Sequence, residues 1–128
     1  MAYSHRILVV EDDADQLLLR GMLLRQSGFD VMQASDAGSA IGLAKSGKPE
    51  CAVIDLRLPT EELGWKLIRE LKALDPKLRI VVFTGLNPAR LAQGEGKNLV
   101  DEFVVKGSSS ANLIEKIKAL AEPDRNRP

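Results

Sequence analysis

An open α/β fold on a parallel sheet is what this chain of 128 residues predicts. Three observations carry the prediction. Short apolar runs rich in Val and Ile recur along the chain: Ile7-Leu8-Val9-Val10, Cys51-Ala52-Val53-Ile54, Ile80-Val81-Val82-Phe83 and Phe103-Val104-Val105. Between them, apolar residues return at helical spacing. Each run also stops on a polar residue able to do chemistry, namely Glu11-Asp12, Asp55, Thr84 and Lys106. Continuous apolar runs, unlike alternating ones, read as strands buried on both faces, the habit of parallel sheets covered by helices.

The elements follow in order. A first strand is expected at about 6–11. The first helix is expected at about 14–27, with Leu17, Leu18, Gly21 and Leu24 on one face and Gly28 as its stop. A short second strand lies near 30–34. Asp36 caps a second helix whose stripe of Ala37, Ala40, Ile41 and Ala44 is thin. Gly38 and Gly42 each weaken that helix by about 1 kcal/mol relative to Ala. The third strand is 51–55. The third helix covers about 64–74, with Leu67, Ile68, Leu71 and Leu74 in register, and Asp75-Pro76 ends it. The fourth strand is about 79–84. Asn87-Pro88 opens a short fourth helix, interrupted by Gly94 and Gly96. A fifth strand at about 102–105 precedes a fifth helix starting near Ser109 or Ser110, with Leu113, Ile117, Leu120 and Ala121 on one face and Pro123 as its stop. Alternating strands and helices imply right-handed crossovers and helices on both faces of the sheet. Five strands favour the flavodoxin-like (βα)5 arrangement, order 2-1-3-4-5.

Composition narrows the function. Hydrophobic residues are 45% and charged residues 28%, and 18 basic side chains balance 18 acidic ones. A neutral chain offers no bulk attraction for nucleic acid or membrane. No stretch has the length of a membrane span and the N-terminus lacks a signal-peptide pattern, so a cytoplasmic protein is expected. The single cysteine, Cys51, lies inside a strand and reads as core.

In the order 2-1-3-4-5, strands 1 and 3 are neighbours at the switch point, where ligands bind beside the strands' carboxyl ends. Glu11, Asp12 and Asp55 should therefore meet. Two carboxylates about 4 Å apart repel by about 4 kcal/mol at an effective dielectric of 20. A hard divalent cation relieves that conflict, and Mg²⁺ typically takes one or two carboxylates plus a phosphate oxygen. Asp55 is then the natural nucleophile, because carboxylates form aspartyl-phosphate intermediates. Lys106 can place a point charge on a phosphoryl oxygen and Thr84 can donate a hydrogen bond to another. Asp13 reads as a helix cap, Trp65 as helix packing, His5 as inert, and Glu61 with Glu62 as a solvated loop face.

Val9-Val10-Glu11-Asp12-Asp13, Asp55-Leu56-Arg57-Leu58-Pro59, Phe83-Thr84-Gly85 and Val104-Val105-Lys106, in that order and spacing, resemble the receiver domain of bacterial response regulators. The resemblance covers 6–121 and implies a receiver domain over 1–122, followed by a polar tail or linker stub at 123–128. It implies Asp55 as phospho-acceptor, Asp12 as direct ligand of Mg²⁺ and Glu11 as a ligand through water. It further implies the Arg57 backbone carbonyl in the metal shell, Thr84 and Lys106 as switch hydroxyl and active-site lysine, and Phe103 as the switch aromatic. The implied partners are a sensor histidine kinase or histidine phosphotransfer protein and a downstream protein bound by the face of the fourth helix, fifth strand and fifth helix. No direct nucleic-acid or membrane contact is implied, and the chain is expected to be a switch rather than a conventional enzyme.

Two positions depart from the family pattern. Gly64 falls one residue late, and Gly107 stands where a proline preceded by a cis bond is usual. A non-proline cis bond costs about 3–4 kcal/mol, so the turn after Lys106 is expected to be trans. These departures motivate an alternative, a receiver-shaped interaction module that signals independently of phosphorylation. A small-molecule enzyme on the same scaffold is the weakest option, because the chain offers no second acid–base constellation.

Overall fold

The computed structural model describes residues 5–85, 97–107 and 110–121. Five parallel strands form one sheet: β1 (Arg6–Val10), β2 (Asp30–Ala34), β3 (Cys51–Ile54), β4 (Arg79–Thr84) and β5 (Glu102–Val105), in the order β2-β1-β3-β4-β5. Four α-helices are described: α1 (Ala14–Gln26), α2 (Ala37–Gly47), α3 (Glu61–Leu74) and α4 (Ser110–Ala121). A single 3₁₀ turn, Lys97–Leu99, precedes β5. The helix expected from Asn87-Pro88 lies outside the described residues, as does the polar tail at 123–128.

The two-residue period of the strands sorts their side chains into two cores. Leu8, Val10, Ala52, Ile54, Ile80 and Val82 face Leu67, Ile68 and Leu71 of α3 and Ala40 of α2. Ile7, Val9, Cys51, Val53, Val81 and Phe83 face Leu24 of α1 and Leu113 and Ile117 of α4. Cys51 is part of this second core, and burial pushes its thiol well above the usual value. No helix among the described residues is long and apolar enough to cross a membrane.

Helix ends form where the local chemistry supplies partners. Asp13 caps α1 by accepting from the Gln16 amide at 3.0 Å, and Asp36 caps α2 by accepting from the Ser39 amide at 2.7 Å. Gly28, at φ 98°, follows α1 as its expected stop. Four apolar or acidic positions differ from expectation. Leu18 is 56% exposed and Leu74 45%, so neither belongs to its helix's buried stripe. On α1 that place is taken by Arg20. On α3 the start moves three residues earlier, because Thr60 accepts from the Leu63 amide at 3.2 Å and makes Glu61 and Glu62 the first turn instead of a loop. Gly64 thus sits inside a helix, where a Cβ would collide with the backbone carbonyl of Leu56. His5 is buried rather than idle, with Nδ1 2.6 Å from the Glu50 carboxylate.

Candidate functional site

The site lies at the carboxyl edge of the sheet, where backbone pairing continues one residue past β1, β3 and β5. The Glu11 amide donates to Ala34 O at 3.1 Å, the Asp55 amide to Val10 O at 3.1 Å, and the Lys106 amide to Thr84 O at 2.7 Å. Val10 stands opposite Ile54, so Glu11 and Asp55 emerge side by side at the switch point. Ligand oxygens of Glu11, Asp12 and Asp55 all lie within 4.8 Å of one another. Glu11 and Asp55 are buried, whereas Asp12 is exposed.

Sequence order alone does not explain how these charges are tolerated; the pairing does. Lys106 Nζ donates to Asp55 Oδ2 at 2.7 Å and to Glu11 Oε1 at 3.2 Å. The Arg57 amide donates to Asp55 Oδ1 at 3.1 Å, so both acceptor oxygens of Asp55 are oriented. The Asp13 amide donates to Glu11 Oε2 at 3.2 Å. An all-oxygen donor set with one carboxylate open to solvent suits a hard, partly hydrated divalent cation.

The remaining expected residues lie on β4, on β5 and in the loop after β3. Thr84, buried, ends β4. Phe103 is half-buried on β5 and meets Trp65 of α3 edge-on, ring centroids 6.5 Å apart. Trp65 Nε1 in turn donates to Glu61 at 3.3 Å, which fits a packing role. The Arg57 side chain is exposed. The Lys106–Gly107 bond is trans, with Gly107 at φ 97°; among the described residues the cis bond is Leu58–Pro59.

One residue of the site went unread in the sequence. Arg20 is only 8% exposed, and its Nη1 donates to Glu11 Oε1 at 3.0 Å. Its guanidinium carbon lies 4.3 Å from the Phe83 ring centroid, and Nη2 donates to Gln16 at 2.9 Å. Its position carried a signal: Arg20 falls three residues after Leu17 and four before Leu24, on the stripe that α1 buries.

The sequence profile described as the response regulator receiver domain matches residues 7–118. The chain belongs to the response regulator receiver domain family. Among similar proteins, the transcriptional regulatory protein PrrA of Mycobacterium tuberculosis is 33% identical over 119 residues, covering 91% of this chain and 50% of PrrA. The chain thus spans about half the length of that relative. The chemotaxis protein CheY of Bacillus subtilis is 24% identical over 115 residues, covering 89% of this chain and 95% of CheY. Among solved structures, a CheY-like receiver domain protein from Methanospirillum hungatei JF-1 superposes with a TM-score of 0.85 at 25% identity, over 98% of this chain and 100% of that one. The response regulator TrrA of Thermotoga maritima, solved in complex with Mg(2+)-BeF, gives 0.81 at 26% identity, over 91% of this chain and 98% of its own. Receiver domains are phospho-accepting signalling switches rather than conventional enzymes. They work between histidine kinases or phosphotransfer proteins and downstream effectors.

Proposed function

We propose that this receiver accepts a phosphoryl group on Asp55 in a Mg²⁺-dependent reaction. The observation that carries the reading is the convergence of Glu11, Asp12 and Asp55 within 4.8 Å, with Lys106 Nζ 2.7 Å from Asp55. The donor is the phosphohistidine of a sensor kinase or phosphotransfer protein. An Asp55 carboxylate oxygen attacks phosphorus, the P–N bond breaks as the O–P bond forms, and the leaving imidazole keeps the electron pair. Bound at Asp12 directly, at Glu11 through water and at the Arg57 carbonyl, Mg²⁺ would neutralise charge on the phosphoryl oxygens. Lys106 supplies a second positive charge, and moves from the carboxylate of Asp55 to the phosphoryl group bonded to it. Thr84 donates to a phosphoryl oxygen. Phe103 has no hydroxyl, so its part in the switch is packing, through its edge contact with Trp65. The downstream protein reads the face that includes β5 and α4.

Intact-mass spectrometry after incubation with acetyl phosphate tests this, with and without Mg²⁺, beside Asp55→Asn. The expected result is one phosphoryl adduct that requires both the cation and Asp55. An adduct of equal yield on Asp55→Asn overturns the assignment. A second reading, an interaction module that signals without phosphorylation, is favoured by the left-handed Gly107 following Lys106. It predicts no adduct, even with a kinase donor, in a folded chain.

A further inference from the structure

The acidic site contains a second basic side chain, Arg20, to which phosphoryl transfer to Asp55 gives no part. Glu11 is 1% exposed and its Oε1 accepts from two charged groups, Lys106 at 3.2 Å and Arg20 at 3.0 Å. The two are held differently. The Lys106 side chain is 27% exposed on a flexible stem. Arg20 is fixed on three sides: Glu11 accepts from one amino group, Gln16 from the other, and the guanidinium lies over Phe83. A planar guanidinium so clamped is pre-organised and loses little freedom in holding Glu11.

Strand geometry explains why the clamp reaches Glu11. Glu11 follows Val9 by two residues, so it faces the same layer as Val9 and Phe83, the layer covered by α1. Arg20 lies on the buried face of that helix, between Leu17 and Leu24. A carboxylate this buried requires an internal counter-charge. Arg20 supplies the shorter contact to Glu11, while the shorter contact of Lys106 is to Asp55.

Resting on the Mg²⁺ reading of the site, we propose that Arg20 is a positioning residue that holds Glu11 and competes with the divalent cation for it. The three carboxylates, Lys106 and Arg20 together carry one net negative charge; without Arg20 they carry two. Arg20 therefore keeps Mg²⁺ affinity lower than the acidic triad alone would give. It also leaves Asp12, the exposed carboxylate, as the direct ligand.

Calorimetric Mg²⁺ titration of the full chain tests this, with folding of each variant checked by circular dichroism. Arg20→Met, which fills the space without the charge, is expected to bind Mg²⁺ about tenfold tighter, on the scale of removing a unit charge a few ångströms away. Arg20→Lys retains the charge and should restore affinity to within about twofold of wild type. A purely structural Arg20 would change stability and leave affinity alone. Equal or weaker binding by a folded Arg20→Met overturns the proposal. If that variant does not fold, Arg20→Gln decides, because its neutral amide can still donate to Glu11 while the charge is removed: tighter binding supports the proposal and unchanged binding overturns it. Asp12→Asn separates the metal site from the role of Arg20. Wild type that binds no Mg²⁺, or that binds equally after Asp12→Asn, overturns the metal site itself. Binding that depends on Asp12 but ignores Arg20 overturns only the role of Arg20.

Discussion

At Gly64 a single hydrogen atom in place of a side chain lets α3 lie against the loop that carries Asp55 and Arg57. A Cβ there would meet the carbonyl oxygen, carbonyl carbon and Cα of Leu56, all backbone atoms that cannot swing aside. Leu56 is itself fully buried, so relief would have to come from moving the loop or the helix. Gly64→Ala is expected to destabilise the protein by about 1–3 kcal/mol, the usual range for overpacking, with the shift reported by the urea midpoint. An unchanged midpoint would show that the loop yields freely. This residue shows how much of the site was readable. Asp55, Thr84 and Lys106 stood out because each ends an apolar run, and a strand end in a parallel sheet is a fixed place. Gly64 was visible only as a misplaced loop glycine, because the close approach that needs it involves the backbone of Leu56, eight residues away and across a helix–loop contact. Arg20 was hidden for a related reason. A charged residue on a buried stripe makes sense only once its partner is known, and Glu11 reaches it through the fold.

The helix boundaries follow from side chains that satisfy orphan amides. Sequence reading found the caps at Asp13 and Asp36 but missed Thr60. The apolar repeat read for α3 begins only at Leu67, so the acidic first turn looked like loop, whereas the Thr60 hydroxyl accepts from the Leu63 amide and starts the helix there. Leu18 and Leu74 failed as core residues for the opposite reason: apolar spacing in a helix leaves its edges ambiguous, and tertiary packing chose Arg20 over Leu18. The α2 cap gives a prediction in acid. The amide of Ser39, then the Ser39 hydroxyl, hold the Asp36 carboxyl below its ordinary 3.8. The folded state therefore binds this proton less readily than the unfolded chain. The stabilisation is complete above the unfolded value of 3.8 and is lost as pH falls through the lower folded value. Asp36→Asn keeps a capping oxygen without the charge. The stability difference between wild type and Asp36→Asn, followed by urea denaturation, should be steady at neutral pH and change only below about pH 4. A difference that is flat through that window would remove the charged cap as its source.

Over the whole molecule, net charge is zero, yet acidic groups are drawn to one edge of the sheet by topology. Strand order 2-1-3-4-5 brings the ends of β1 and β3 together. That placement concentrates like charge in the native state alone, since in the unfolded chain Asp55 is far from Glu11 and Asp12. A divalent cation that relieves it must then bind the folded form in preference, and binding of that kind raises stability by mass action. Mg²⁺ at a hundredfold excess over its dissociation constant is expected to add about 2.7 kcal/mol to the free energy of unfolding. Thermal melts at increasing Mg²⁺ should climb without a plateau at high concentration, because each further tenfold adds about 1.4 kcal/mol. Asp12→Asn should abolish the climb while keeping a cooperative melt, since Asp12 is exposed and outside both cores. Sodium at matched ionic strength separates site binding from screening, which acts on all exposed charges alike. A climb of the same size with sodium, or one that survives Asp12→Asn, would place the stabilisation elsewhere than at the sheet edge.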